Sequence, residues 1–257
     1  MNFDRSAVGL ATLYTDLGRD LTGKGSRIDA LTAVARVALA RVPGTEWVSI
    51  TEGRGGRFAT EVATDEAARA VDKIQYVLGS GPCVDAVRND ARFCTGDLRT
   101  DGRWPEFAQR AATEYQVSSM LSFRLCLEDD DRIAALNLYS TKIDAFDDTA
   151  QVIGTLIATH GGLAVAAAAA REQAAQLRQA LVTNREIGTA MGVLMATYKL
   201  TREQAFDLLR IASQRSNRKI AEVAAEVADT GILDLPGTAG SAASPDASPA
   251  SRMRPPR

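Results

Sequence analysis

Several residue types are scarce in this 257-residue chain, and each scarcity excludes a class of protein. The three cysteines, Cys83, Cys94 and Cys126, are odd in number and widely spaced, which fits neither a disulfide framework nor a zinc site. The single histidine, His160, offers little for haem or metal ligation. The apolar run at 161–170 is mostly alanine and too short to cross a bilayer, and the N-terminus lacks a signal-peptide pattern. We expect a cytoplasmic protein with reduced thiols, no metal site, no identified cofactor and no membrane contact.

Neither sign of charge dominates the chain. It has 30 Lys and Arg against 32 Asp and Glu, which gives a net charge of −2 at pH 7. Its composition, 46% hydrophobic and 24% charged, is ordinary for a soluble globular protein of one or two domains. A binding surface for nucleic acid must therefore be a local patch.

Residues 180–231 predict three short amphipathic helices. Thr201 and Gln204 form a capping box at the start of the second helix, Asn217 is a good N-cap for the third, and Gly231 supplies a left-handed stop. Each helix has an apolar face, formed in order by Ala180, Ile187, Val193, Leu194 and Met195; by Ala205, Phe206, Leu208, Leu209 and Ala212; and by Ile220, Val223, Ala224, Val227 and Ala228.

The junction before the third helix is basic. Between residues 208 and 221 the chain has Arg210, Arg215, Arg218 and Lys219 but no acid. Three of these bases flank a helix N-terminus, where unpaired N–H groups and the helix dipole favour a phosphate. The alternative is a set of ordinary solvated side chains, and spacing alone does not decide between the two.

The motifs of this segment, taken in order over residues 171–232, resemble the ANTAR domain, a three-helix RNA-binding module of bacterial antitermination regulators. Many members of that family have Ser-Arg where this chain has Thr183–Asn184 followed by Arg185, and a Lys where it has Met191. The resemblance rests on Ala190-x-Gly192-x-Leu194-Met195, on Ala205–Phe206 with Leu208 and Leu209, and on Ser213–Gln214 through Asn217–Arg218–Lys219.

The ANTAR resemblance implies binding to paired stem-loops in leader transcripts. This binding prevents a terminator hairpin from forming and so affects RNA polymerase only indirectly. Loop bases in RNA are accessible to polar side chains, while basic side chains hold the phosphates. The alternative is a DNA-binding transcription factor with a helix in the major groove. The RNA-binding residues that we expect are Arg185, Arg210, Ser213, Gln214, Arg215, Asn217, Arg218 and Lys219.

Residues 27–160 predict an α+β domain, with a helix over 28–42, a strand over 47–51 and a hairpin of two strands over 120–127 and 132–139. Within this segment the chain has the motifs Leu78-Gly79-x-Gly81-Pro82-Cys83, Asp97-Leu98 and Asp101-x-Arg103-Trp104-Pro105, followed by the segment 134–146. These motifs, in this order, resemble the GAF domain.

The GAF resemblance implies a central antiparallel sheet with helices to one side and a cavity for a small molecule on the other. The chain lacks the Asn-Lys-x-x-x-Phe signature of cyclic-nucleotide-binding members, and the ligand stays unidentified. Cys83 and Trp104 are the candidate pocket residues. A second hypothesis is a thiol-dependent reductase, because one GAF-fold family reduces free methionine sulfoxide and Cys83 stands at a helix start, which can lower a thiol pKa.

A heptad pattern connects the two segments and predicts a coiled coil that joins two copies of the chain. The alternative is one long helix that packs on its own GAF domain. The seam consists of Leu163, Ala167, Ala170, Ala174, Leu177, Leu181, Asn184, Gly188, Met191 and Met195.

These patterns together predict a non-enzymatic, homodimeric GAF and ANTAR domain-containing transcription antitermination regulator of the actinobacterial type. The fold class is α+β, with an all-α C-terminal part. The predicted segments are a helical extension over 1–26, the GAF sensor over 27–160, a coiled-coil helix over 161–180, the ANTAR domain over 171–232 and a disordered tail over 236–257.

Overall fold

The computed structural model describes residues 7–21, 23, 25–89, 92–125 and 133–234, and the chain divides into two compact units, Met1–Ala174 and Ala175–Arg257. The elements of the described residues, in chain order, are α1 (Ala7–Leu21), α2 (Arg27–Arg41), β1 (Trp47–Arg54), β2 (Arg57–Ala63), α3 (Glu66–Leu78), α4 (Pro82–Asn89), β3 (Phe93–Thr95), α5 (Pro105–Tyr115), β4 (Ser119–Leu125), β5 (Ile133–Ser140), α6 (Asp148–Tyr198), α7 (Arg202–Ser216) and α8 (Ile220–Thr230).

Unit 1 is built on a five-stranded antiparallel sheet with the order β2-β1-β5-β4-β3. The central strand β5 pairs with β1 and β4, so the hairpin predicted from its sequence is confirmed as a strand pair. The connection between β4 and β5 and the third cysteine, Cys126, lie outside the described residues. Alternate side chains along these strands point to opposite faces, which gives the unit two cores.

One face of the sheet packs against α1, α2 and α6. Ser26 and Asp29 form a capping box that starts α2. A Cβ atom added at Gly161 of α6 would lie 2.8 Å from a Val34 methyl group of α2, so glycine permits the close approach of these helices. The strands contribute to this core Val48, Ile50, Leu121, Phe123, Leu125, Ala134, Leu136 and Leu138.

The other face is covered by α3, α4 and α5. Phe107, Met120 and Tyr139 are fully buried there together with Cys83 and Trp104. The expected arrangement, with helices on one side only and a cavity on the other, is therefore wrong: helices cover both faces. One groove lies beside α5 and another at the β1–β2 turn, and the residues that line them include neither Cys83 nor Trp104.

The long helix α6 contributes to both units. An 18-residue window within it has a mean hydropathy of 1.7, so by length and composition it passes as a membrane span. A core helix of a soluble protein passes the same test, and 44% of the window is buried within the fold. Ile153, Ile157 and Val165 pack in the core of unit 1, and His160 contacts the Tyr14 ring edge-on with centroids 4.4 Å apart.

Unit 2 is a three-helix bundle made by the end of α6 with α7 and α8. The capping box of Thr201 and Gln204 is confirmed, and so is the left-handed stop at Gly231. Lys199, with φ of 56°, follows the last residue of α6. The core of unit 2 is small and consists of Ala190, Met191, Leu194, Ala205, Leu209, Ala212, Val223, Ala224 and Val227.

Candidate functional site

A three-residue turn, Asn217–Lys219, connects α7 to α8. The prediction that Asn217 is the N-cap of α8 is wrong, because it is the left-handed C-cap of α7, with φ of 52° and ψ of 35°. Asparagine tolerates this conformation better than other residues with a Cβ atom, which is why the same residue type suits either end of a helix. Lys219 takes the N-cap position, and within the described residues no side chain caps the start of α8.

Ser213 braces this turn. Its hydroxyl donates to the Arg218 carbonyl oxygen at 2.6 Å, and its own carbonyl accepts from the Arg218 amide at 3.2 Å. The predicted base-contacting hydroxyl is therefore engaged within the protein. These two hydrogen bonds fix the shape of the junction.

Two of the predicted basic residues are paired with acids. Arg218 reaches Glu226 of α8 at 2.6 Å and lies 3.9 Å from Glu222, while Arg210 contacts Asp207 at 3.0 Å. Residues 208–221 contain no acid, but residues one or two helical turns apart lie on the same side of a helix. Acids just outside the stretch therefore contact its basic side chains. The linear charge pattern therefore overstated the positive charge at Arg210 and Arg218.

Three predicted cations remain available. Arg185, Arg215 and Lys219 are exposed, and none of them forms an ion pair with another residue that the structure describes. Arg215 stands in the last turn of α7 and Lys219 at the uncapped start of α8, with the exposed Gln214 beside them in sequence. Arg215 and Lys219 thus place positive charge at the junction of α7 and α8, and Gln214 adds a polar side chain there. This combination suits a phosphate.

The sequence reasoning missed an exposed aromatic side chain on α7. Phe206 was assigned to the apolar face, but it is 42% exposed, whereas Ala205 and Leu209 beside it are buried. Arg202 and Arg210 stand four residues before and after it, so the three share one stripe of the helix. That spacing is the signal that could have identified it.

In unit 1 the two candidate pocket residues, Cys83 and Trp104, are both buried in the second core. The Trp104 indole N–H donates to Asp85 at 2.7 Å, and its ring contacts Phe93 edge-on and the Arg103 guanidinium at 4.3 Å. The Cys83 amide donates to the Gln75 side chain at 2.9 Å. Because neither side chain is open to solvent, a ligand would reach them only if the layer of α3, α4 and α5 moved.

A polar cluster surrounds Cys83 in this core. The cluster comprises Ser49, Thr51, Thr60, Asp72, Tyr76, Cys83, Ser122, Asn137 and Tyr139, and is called the Asp72 cluster below. Buried polar groups are costly unless they are hydrogen-bonded, and ionisable groups with a shifted pKa are frequent at functional sites. No sequence pattern pointed to it, because its members come from six separate elements.

Two family models match the chain. A GAF domain model matches residues 26–166, more than half of the chain, and an ANTAR domain model matches residues 175–227. The chain belongs to the GAF domain family and carries a C-terminal ANTAR domain. Unit 1 holds the GAF domain, a sensory domain, and unit 2 the RNA-binding ANTAR domain of antitermination regulators.

Solved structures are similar to part of this GAF and ANTAR domain protein. They include the GAF domain of an Acinetobacter phosphoenolpyruvate-protein phosphotransferase (12% identity, 63% of this chain, 95% of that chain, TM-score 0.49). The free methionine-R-sulfoxide reductase of Neisseria meningitidis is similar at 17% identity, over 65% of this chain and 96% of that chain, with a TM-score of 0.45. The type II enzyme of Thermoplasma acidophilum is similar at 19% identity, over 54% of this chain and 94% of that chain, with a TM-score of 0.43. At these values the likeness carries no functional argument. No curated protein sequence matches the chain, and the actinobacterial type stays a prediction.

The thiol of the GAF domain is in an unreactive environment. Burial, with a smaller contribution from the neighbouring Asp72, raises the pKa of the Cys83 thiol to about 12. The expectation that the helix start lowers this pKa is wrong, because desolvation of the buried thiolate outweighs the helix dipole. Among the described residues, no three His, Cys, Asp or Glu side chains come together as a metal site.

Proposed function

We propose that this protein is a cytoplasmic, homodimeric antitermination regulator whose ANTAR domain binds paired stem-loops in leader transcripts under the control of the GAF domain. Binding would prevent a terminator hairpin and thereby let RNA polymerase continue, without a direct contact to the enzyme. The observation that carries the proposal is the pair of exposed, unpaired cations, Arg215 and Lys219, on either side of the α7–α8 turn.

The chemistry of this junction supports an RNA ligand. The uncapped N–H groups of α8 and the two cations favour the phosphate backbone, while Gln214 and Asn217 carry donors and acceptors for an unpaired base. Arg218 is held by Glu226 and Arg210 by Asp207, so both contribute less net charge. We expect the RNA-binding residues to rank with Arg215 and Lys219 first and these two after them.

The exposed face of α6 supports the dimer. Leu163, Leu177 and Leu181 are 56%, 60% and 70% exposed, at positions of the heptad pattern. Met191, counted in the same seam, is instead buried in the core of the ANTAR domain, so the proposed seam ends near Gly188. Leucines that remain exposed at this spacing gain burial if a second helix packs along them.

The protein is proposed to have no enzymatic activity. The buried, high-pKa thiol of Cys83 supports this view, since thiol reductases need an accessible thiolate. Turnover of a sulfoxide substrate that is lost in Cys83→Ser would contradict it.

The test is binding of the full chain to a two-hairpin leader RNA. Arg215→Ala combined with Lys219→Ala should abolish binding at physiological salt with unchanged helical content, and any residual binding should have a salt slope lower by about 2, because two phosphate contacts are gone. The matched control is Arg210→Ala combined with Arg218→Ala, which removes two cations that are already paired and should weaken binding less.

Duplex DNA serves as the competitor in the same experiment. At fixed salt, hairpin RNA should displace DNA and the reverse should not occur. Unaltered RNA binding by the Arg215 and Lys219 variant would contradict the proposed surface, and preference for a palindromic duplex would favour a DNA-binding transcription factor.

A further inference from the structure

Asp72 is an acid in the interior of the GAF domain. Its side chain is fully buried, and it extends from α3 towards strands β1, β2 and β5. A carboxylate removed from water costs free energy unless hydrogen bonds or a counter-charge replace its hydration. The neighbours of Asp72 must therefore either stabilise its charge or let it take up a proton.

Four donors meet the Asp72 carboxylate, and one of them is the Ser49 hydroxyl. The Tyr139 hydroxyl and the Asn137 amide, 3.3 Å away, donate to Oδ1, and the Thr60 hydroxyl lies 2.8 Å from Oδ2. The guanidinium of Arg69 attracts Asp72 only weakly, because it is bonded to the Thr60 carbonyl oxygen and its side chain is 43% exposed. Among the described residues, Asp72 thus has hydrogen bonds but no close counter-charge.

The groups that face Asp72 come from each element packed against it. Among the described residues, the charged or titratable ones are Arg69 and Tyr76 on α3, Cys83 on α4 and Tyr139 on β5. Strands β1 and β2 present neutral hydroxyls, from Ser49, Thr51 and Thr60. Burial raises the pKa of Cys83 and of both tyrosines, so Asp72 is the member of this set that changes charge near neutral pH.

A chain of hydroxyl groups leads away from Asp72 and can run in either direction. Tyr76 lies 2.8 Å from the Thr60 hydroxyl and 2.7 Å from the Thr51 hydroxyl, and in both pairs either oxygen can donate. Thr51 in turn hydrogen-bonds the Cys83 sulfur. Since a hydroxyl both donates and accepts, rotation of each O–H reverses the direction of the chain.

We propose that the Asp72 cluster is a proton-operated switch in the GAF domain. A proton from solvent adds to Oδ2 of Asp72, which then donates to Thr60; Thr60 donates to Tyr76, Tyr76 to Thr51, and Thr51 to the Cys83 sulfur. No covalent bond other than the new O–H changes. Because Asp72 connects α3 to β2 and β5, its conversion from acceptor to donor alters how that helix is held on the sheet.

The pKa of Asp72 supports the switch. Burial, the largest cause, raises it from 3.8 to about 6, although hydrogen bonds from Tyr139, Ser49 and Thr60 oppose the shift. The folded protein therefore holds this proton more tightly than the unfolded chain. Its stabilising effect is complete below pH 3.8 and is lost as the pH rises through about 6. Between pH 5 and pH 8 this one group should raise the unfolding equilibrium constant about tenfold.

The test is denaturant unfolding of the full chain, followed by tryptophan fluorescence from pH 5 to pH 8. Both tryptophans, Trp47 and Trp104, lie in the GAF domain, so the signal reports that domain. Asp72→Asn should remove the tenfold change. The control Glu66→Gln alters a carboxyl of the same helix whose side chain is 91% exposed, and it should keep the full change.

Two outcomes would overturn the switch: a wild-type protein with no change between pH 5 and pH 8, or an Asp72→Asn variant that keeps the wild-type change. If Asp72→Asn does not fold, Tyr139→Phe decides. Loss of this donor destabilises the ionised carboxylate, so the transition should move to higher pH, and an unmoved transition would refute the proposal. These readouts do not involve RNA, so they stand or fall independently of the proposed function.

Discussion

The GAF and ANTAR domains place their polar chemistry in opposite locations. In the described residues, the buried polar side chains all belong to the GAF domain, with Asp72 and Asn137 at their centre. The ANTAR domain has a core of nine buried apolar residues and keeps its charges on the surface. An interior polar cluster can respond to a change of protonation or ligand, whereas a surface charge can bind a partner without disturbing the fold.

The largest predicted effect would break the ANTAR side of this comparison. Leu209→Ala leaves a cavity in a core of nine residues and should cost about 2–5 kcal/mol, enough to unfold so small a unit. Far-ultraviolet circular dichroism should report loss of helix. Tryptophan fluorescence should stay unchanged, because both tryptophans are in the GAF domain. Simultaneous loss of both signals would contradict the division into two independent units.

The next prediction concerns Phe206. If it stacks on an unpaired loop base, Phe206→Ala should weaken RNA binding by about 1–3 kcal/mol, or about 5- to 150-fold, while Phe206→Tyr keeps the stack. The salt slope should not change, because no phosphate contact is lost. Equal loss in both variants, or a reduced salt slope, would rule out stacking.

The dimer seam predicts an effect of similar size on association. Leu181→Lys places a charge where a second helix is proposed to pack. It also removes the free energy that a leucine gains when it is buried in the dimer, about 1.5–3 kcal/mol for each leucine. Sedimentation velocity should show a shift from dimer to monomer. The control is Val77→Lys. Val77 lies on α3 and outside the seam but is exposed to a similar degree, 71% against 70% for Leu181, so this variant should leave the dimer intact. A wild-type monomer at all concentrations would dismiss the seam.

The smallest predicted effect separates the two roles of Asn217. Asn217→Ser would be neutral for an N-cap, but in a left-handed C-cap it should cost about 1 kcal/mol. Asn217→Gly should be neutral or slightly stabilising. Thermal unfolding followed at a helix-sensitive wavelength measures both variants, and a stable serine variant would return Asn217 to the N-cap role.

The features that the sequence predicted depend on interactions between residues close together in the chain. The features that it missed depend on contacts between distant elements. The capping box at Thr201, the stop at Gly231 and the strand pair around Asn137 depend on neighbours in sequence or on short periodicity. The ion pair of Arg218 with Glu226 and the burial of Cys83 depend on packing between elements. The Asp72 cluster joins residues up to 88 positions apart and gave no local signal.

The pKa of Cys83 shows how the same limitation produced an error. Its position after Gly81–Pro82, at the start of α4, is local and was predicted correctly. Whether a thiol at a helix start is reactive depends on its exposure, and that is set by β5 and α3 packing over it. A residue's place in an element can be predicted before its environment can.

The central claim is that the ANTAR domain binds RNA through the α7–α8 junction, and crosslinking of RNA to the full-length protein in cells tests it most directly. Sequencing of the crosslinked RNA should recover paired stem-loops upstream of terminator hairpins. The variant with Arg215→Ala and Lys219→Ala should lose them, while the variant with Arg210→Ala and Arg218→Ala should retain most of them. Recovery of the same RNA with both variants, or of no stem-loop RNA with the wild-type protein, would contradict the account.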